Sequence, residues 1–173
     1  MKRSISILLT LAALLTLLCG CGAKDAAKTG ESTDIAPETA VSMYDLRKAM
    51  LEQDKNLPEM SAVSSIDEKA DELFTYLSDM DYSKVESYFL TFAADGTSYE
   101  IAVVALKQRS DLSELQSSLR KHVEGRVNLY KSYAPEQVAR AEGAEIVSSG
   151  RYVALIMCDD QAAVKAAFQS GVE

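Results

Sequence analysis

The chain has 173 residues, 47% of them hydrophobic and 25% charged. These fractions lie near globular averages and exclude disordered and collagen-like classes; the length suits one ordinary domain plus extra segments. Eighteen Lys and Arg against 26 Asp and Glu give a formal net charge of −8, so the chain repels phosphate backbones and no nucleic acid is expected as partner.

The first residues read as an address. Lys2 and Arg3 form a positive start, and the apolar stretch Ile5–Leu18 is interrupted only by Ser6, Thr10 and Thr16. It fits a signal-peptide core and falls short of the roughly 20 residues that span a bilayer. Leu18-Cys19-Gly20-Cys21 closes it and resembles the lipobox of bacterial lipoproteins, a Leu and two small residues before a Cys. The resemblance implies cleavage between Gly20 and Cys21 and diacylation of the Cys21 thiol. Cys19 is the weaker candidate because Leu18, not a small residue, precedes it. Two acyl chains make a lasting anchor where one binds reversibly. The expected location is extracytoplasmic, on the bacterial membrane through lipid.

With Cys19 removed and Cys21 acylated, Cys158 is left alone, so an internal disulfide and a thiolate metal cluster are both excluded. The expected organisation is a signal peptide over 1–20, the lipidated Cys and a flexible tether over 21–42, and one α+β domain over 43–173. A coil of the tether's length spans about 25 Å root-mean-square.

Within the domain, Met43, Leu46, Met50 and Leu51 fall at helical spacing and predict a helix over Met43–Asn56, ended by Leu57-Pro58. Ser65 and Glu68 read as a capping box opening a short helix with Ile66, Ala70, Leu73, Phe74 and Leu77 on one face. VESYFLTFAA and SYEIAVVAL flank Asp95-Gly96, a two-residue hairpin signal. That turn predicts the pairs Phe92 with Tyr99, Leu90 with Ile101 and Tyr88 with Val103 on one face, and Ser87, Thr91, Ser98 and Glu100 on the other.

Asp111 with Glu114 predicts the start of a long helix over about 112–132, striped by Leu112, Leu115, Leu119, Val123, Val127 and Tyr130. Pro135 suits the first turn of a short helix ending near Gly143. AEIVS and RYVALIMC around Ser149-Gly150 make a second hairpin, apolar on both faces and therefore central or covered. Asp159 or Asp160 caps a last helix, with Val164 and Phe168 inward and Gly171 as its stop. The pattern predicts an α+β two-layer sandwich: a mostly antiparallel four-stranded sheet in a ββαββα core, helices on one face, preceded by two N-terminal helices.

The leader, the helix ending in Leu57-Pro58, Tyr88, Tyr99-Glu100-Ile101, Tyr133-Ala134-Pro135-Glu136, Gly150-Arg151-Tyr152-Val153 and Asp159-Asp160 follow one another in an order that resembles the bacterial lipoproteins called domain of unknown function 4358. The likeness spans roughly residues 43–170. It implies secretion and attachment to the cell envelope, and it assigns no catalytic residue.

His122 is the only histidine, at the margin of the long helix's stripe; without a partner at ligand spacing it reads as structural rather than as a base or metal ligand. Cys158 ends a strand before a helix start, where the dipole can lower a thiol pKa, and with His122 and Asp159 it would make a nucleophile, base and orienter. Its plainer reading is a small buried residue. Arg126 falls within the stripe and either binds an anion, pairs with Glu86 or Glu145, or packs its stem while its head reaches water. Asp67, Glu68, Asp71 and Glu72 read as solvated acids near a helix start, and the Gly and late Glu of a calcium loop do not follow Asp79 and Asp81. Tyr88, Phe92, Tyr99 and Tyr130 line either a pocket or, as their spacing favours, the core. Glycine-rich phosphate loops, G-x-S-x-G and CxxC are absent, so neither cofactor nor metal is expected.

The expected function is that of a membrane-anchored envelope lipoprotein without enzymatic activity that binds an envelope protein. That reading calls for an exposed apolar patch. The alternatives are a binder of a small ligand or cell-wall fragment, which calls for a pocket with convergent polar groups, and a small hydrolase using Cys158, which calls for contact with His122.

Overall fold

The structure is a computed structural model that describes residues 41–173. The leader, Gly20, Cys21 and the tether up to residue 40 lie outside the described residues. In chain order the elements are α1 (Met43–Leu51), β1 (Met60–Ser64), α2 (Ala70–Phe74), β2 (Val85–Ala93), β3 (Glu100–Leu106), α3 (Leu112–Tyr133), α4 (Val138–Glu142), β4 (Glu145–Ser149), β5 (Tyr152–Met157) and α5 (Gln161–Val172). The strands form one sheet in the order β1-β2-β3-β5-β4, every neighbouring pair antiparallel. No described helix is long and apolar enough to cross a membrane.

The α+β class and the antiparallel sheet are as expected. Two features of the expected architecture are not. The sheet has five strands, because Met60–Ser64 adds an edge strand against β2. At five residues, none of them fully buried, it shows no alternation to read. Helices also lie on both faces rather than one. All seven residues of β3 and all six of β5 are buried, so neither face of the sheet's centre can be left to water.

On one face Leu46 and Met50 of α1 and Val164, Phe168 and Val172 of α5 pack on Ile101, Val103, Ala154 and Ile156. On the other, Phe74 of α2, Leu77 just beyond it, and Leu115 and Leu119 of α3 pack on Tyr88, Leu90, Val104 and Leu155. Further along α3, Val127 and Tyr130 close over Met157 and Ala141. The stripe expected on α3 is therefore the face it buries.

The first hairpin departs from its expected register by one residue. Phe92 pairs with Glu100, Leu90 with Ala102 and Tyr88 with Val104. Asp95-Gly96 is part of a loop over 94–99, in which Gly96 N–H bonds Ala93 O at 3.3 Å and Asp95 Oδ1 accepts from Thr97 N at 3.0 Å. A slip of one residue moves every side chain to the opposite face. Ile101 and Val103 thus lie under α1 and α5, while Glu100 joins Leu90 and Phe92 on the α3 side. The second hairpin turns through Gly150-Arg151, since Ser149 pairs with Tyr152, and Gly150 supplies a φ of 56°.

Helix starts divide similarly. Ser42 caps α1 through Asp45 N, and Asp160 caps α5 through Ala163 N. The first helix stops at Leu51, short of Asn56, and its exit is held by Asp54, which accepts from the backbone N–H groups of Asp159 and Asp160 at 2.8 and 3.1 Å. The Ser65–Glu68 capping box does not form. Ser65 hydroxyl meets the backbone of Tyr88, α2 begins only at Ala70 after a left-handed Lys69, and Ile66 is 93% exposed. Asp111 makes no side-chain cap, and Glu114 pairs with Lys84 instead. Gly171 does not stop α5; it lies within the helix, where a Cβ would meet Leu46 Cδ1 at 2.5 Å. Its bareness lets α1 and α5 approach.

Candidate functional site

Helical spacing sets the site. His122 and Arg126 are four residues apart on α3, so they project from one face toward the sheet's β2–β3 margin. There the register of β3 brings Glu100 up beneath them. Glu100 is only 3% exposed, and its Oε1 lies 2.6 Å from His122 Nε2. Its Oε2 lies 3.4 Å from Arg126 Nε, within ion-pair range but out of line for a hydrogen bond, so that enclosed N–H has no acceptor. Arg126 Nη2 donates to Tyr130 hydroxyl at 2.6 Å, and Tyr130 donates to Thr97 O at 3.0 Å. Burial pushes the Tyr130 phenol up, with Arg126 opposing.

These charges form one wall of an open cleft of about 580 Å³, lined also by Tyr76, Leu90, Phe92 and Gly125. Leu90 and Phe92 make an apolar floor on β2, and Tyr76 stands at the mouth, largely in solvent. A buried carboxylate is tolerated only when paired, and here two cationic-capable side chains of one helix hold it. The result is a mostly apolar recess with a charged end, the form small-molecule sites take.

The other candidates separate from this cleft. Cys158 is buried on the α1/α5 face, whereas His122 faces the α3 side. Burial, reinforced by Asp54, pushes its thiol up to about 12, the reverse of the lowered value expected at a helix start. Asp159 is engaged elsewhere: it accepts from Tyr99 hydroxyl and Arg140 Nε, each at 2.8 Å. The proposed nucleophile, base and orienter are not brought together. Arg140 lies 3.7 Å from the centre of the Tyr99 ring and donates to Gln137 and Ser98, tying the 94–99 loop to α4 and the end of β5. Its guanidinium, then Tyr99, hold the Asp159 carboxyl below the usual range.

Arg126 takes neither expected partner. Glu86 faces Arg151 at 3.9 Å and Glu145 holds Lys165 at 2.8 Å. The acids serve local structure: Asp67 accepts from Ser64 N, Glu72 pairs with Lys69, Asp79 accepts from Ser118 hydroxyl and pairs with Lys121, and Asp81 accepts from Ser83 N. Among the described residues no group of three or more possible ligands comes together for a metal ion. Tyr88 belongs to the core, edge-on to Phe74 and Tyr82, with its hydroxyl on Ala70 O. Phe92 is the one expected aromatic that lines the cleft. Glu100 was missed as a site residue because the expected register put it on the opposite face. The available signal was an acid at the head of an otherwise wholly apolar strand.

No curated protein and no solved structure matches the chain. The family model described as Domain of unknown function (DUF4358) matches residues 59–158, a span from just before β1 to just after β5. That span holds the complete sheet and every residue lining the cleft, it exceeds half of the sequence, and the chain belongs to this family of unknown function.

Proposed function

We propose that the protein is a lipid-anchored extracytoplasmic binding protein that holds a small ligand in the cleft beneath α3 and does no chemistry on it. The observation carrying this reading is the recess of about 580 Å³ in which an apolar floor meets the buried Glu100 and its partners His122 and Arg126. Convergent polar groups in a preformed apolar recess favour a small ligand over the flat patch that a protein partner uses. The leader and Cys21 support the anchor, as does the acidic tether that follows them.

The test uses the mature lipoprotein in lipid nanodiscs, dialysed against a peptidoglycan digest and examined by native mass spectrometry. A small-molecule adduct that is absent from a Gly125→Leu form, in which a side chain fills the cleft, is the expected result. No adduct, or one equally present in both forms, overturns the reading. Metabolic palmitate labelling tests the anchor: the label should be lost in Cys21→Ala.

A second reading, docking of an envelope protein, draws on Leu129 and Tyr133, exposed by 44% and 82% and one turn apart at the end of α3. Crosslinking in intact cells to one stoichiometric partner, abolished by Leu129→Ser with Tyr133→Ser, would favour it.

A further inference from the structure

Two features of the cleft specify more than its existence. The first is an imbalance of hydrogen-bonding capacity. Glu100 Oε1 is held by His122, and Oε2 faces the Arg126 guanidinium at ion-pair distance. Arg126 carries five N–H donors in a planar fork. Among the described residues only the Tyr130 hydroxyl accepts one of them, and Nε–H is enclosed without an acceptor. Donors are therefore left over at the charged end. A ligand group that meets this end has to accept hydrogen bonds, and a planar fork fits a carboxylate best. A ligand amine would instead meet Arg126 as a like charge, beside a carboxylate whose charge is already shared between His122 and Arg126.

The second feature is Gly125. It lies in the interior of the 22-residue α3, where glycine is the poorest choice apart from proline. Its close neighbours do not explain it: a Cβ built there meets nothing within 4 Å. The space it leaves is cleft space, since Gly125 lines the recess together with His122, Arg126 and Phe92. A bare backbone at that point keeps the recess wide enough for the apolar body of a ligand.

We propose that the cleft binds an amphipathic carboxylic acid, its carboxylate on Arg126 and its apolar body between Leu90, Phe92 and the bare helix surface at Gly125. This rests on the small-ligand reading given above and adds the charge and shape of the ligand to it.

The experiment is equilibrium dialysis of the mature lipoprotein in nanodiscs against radiolabelled 3-phenylpropionate and, in parallel, 3-phenylpropylamine, with empty nanodiscs as blank. The acid should bind at least about tenfold more tightly than the amine, the margin expected of one charge-assisted hydrogen bond. Arg126→Gln should weaken acid binding by a similar factor, and Gly125→Leu, on an exposed part of the helix, should abolish it while the protein still melts cooperatively. Binding of the amine equal to or tighter than the acid, lost in Gly125→Leu, overturns the assignment of charge and leaves the cleft as a binding site. Binding of either probe that Gly125→Leu does not change overturns the cleft reading as well. Absence of binding by the acid overturns the proposal.

Discussion

The two faces of the sheet are built from similar parts to opposite ends. Under α1 and α5 the layer is tightly packed at its centre: Phe168, Val164 and Met50 are fully buried, and even a hydrogen atom's worth of room is used at Gly171, where Leu46 fills the space of the missing side chain, while a recess of about 280 Å³ is confined to the margin beside Met43 and Phe89. Under α3 the layer is closed at Leu115 and Leu119 and again at Val127 and Tyr130, and between them it opens onto Glu100. Each face has a glycine inside a helix. One is bare because a neighbour occupies its place, the other although nothing does. A helical glycine thus reports close packing or deliberate emptiness, and only the surroundings of its absent Cβ distinguish them.

That contrast can be broken at several points. Phe168→Ala should have the largest effect, a loss of about 3–5 kcal/mol in denaturant unfolding, because a fully buried ring is replaced by a cavity. Glu100→Ala on the open face should cost about 2–3 kcal/mol. This lies below the usual penalty for breaking a buried pair, since Arg126 and His122 reach solvent and can rehydrate. The two glycines should then respond with opposite signs. Gly171→Ala is expected to lower stability by about 1 kcal/mol through overpacking against Leu46. Gly125→Ala should raise it by about 0.5–1 kcal/mol through helix propensity alone. Equal signs in thermal melts of the two variants would erase the distinction between the faces.

The smallest effect belongs to the clamp of Arg140 and Asp159, which borders both regions. The folded carboxyl of Asp159 titrates below its unfolded value of about 3.9, so the clamp's contribution is present above that pH and disappears as pH falls through the folded value. Asp159 is 39% exposed, which limits the contribution to about 0.5 kcal/mol. Asp159→Asn should therefore melt slightly below the parent at pH 7 and converge with it below about pH 4.

How far the sequence foretells this arrangement depends on which physical signal each residue carries. The periodic stripe of α3 was legible because 3.6-residue spacing persists over six turns, and α5 was legible through Asp160 and its inward Val164 and Phe168. The continuous apolar runs of β3 and β5 already require cover on both faces, although helices on one face were expected. β1 carries too few residues, too partly buried, for any period to emerge. Asp95-Gly96 carries a strong local turn preference that the tertiary structure overrides: Ser98 and Tyr99 are drawn out of the strand by Gln137, Arg140 and Asp159, and the register moves by one. The same slip hid the site. His122 and Arg126 could each be singled out by residue type, but their common partner Glu100 depends on a strand register that only contacts distant in sequence determine.

The pairing of α1 with α5 has a consequence for the order in which the domain folds. The first and the last of the described elements complete one layer, with Leu46 seated on Gly171. Until α5 docks, α1 has no mate and Phe89, Ile101 and Ile156 lack part of their cover. Closure of this face therefore depends on the contact most distant in sequence, whose loop-closure entropy is lost before its packing contributes, so this layer is completed after the local hairpins.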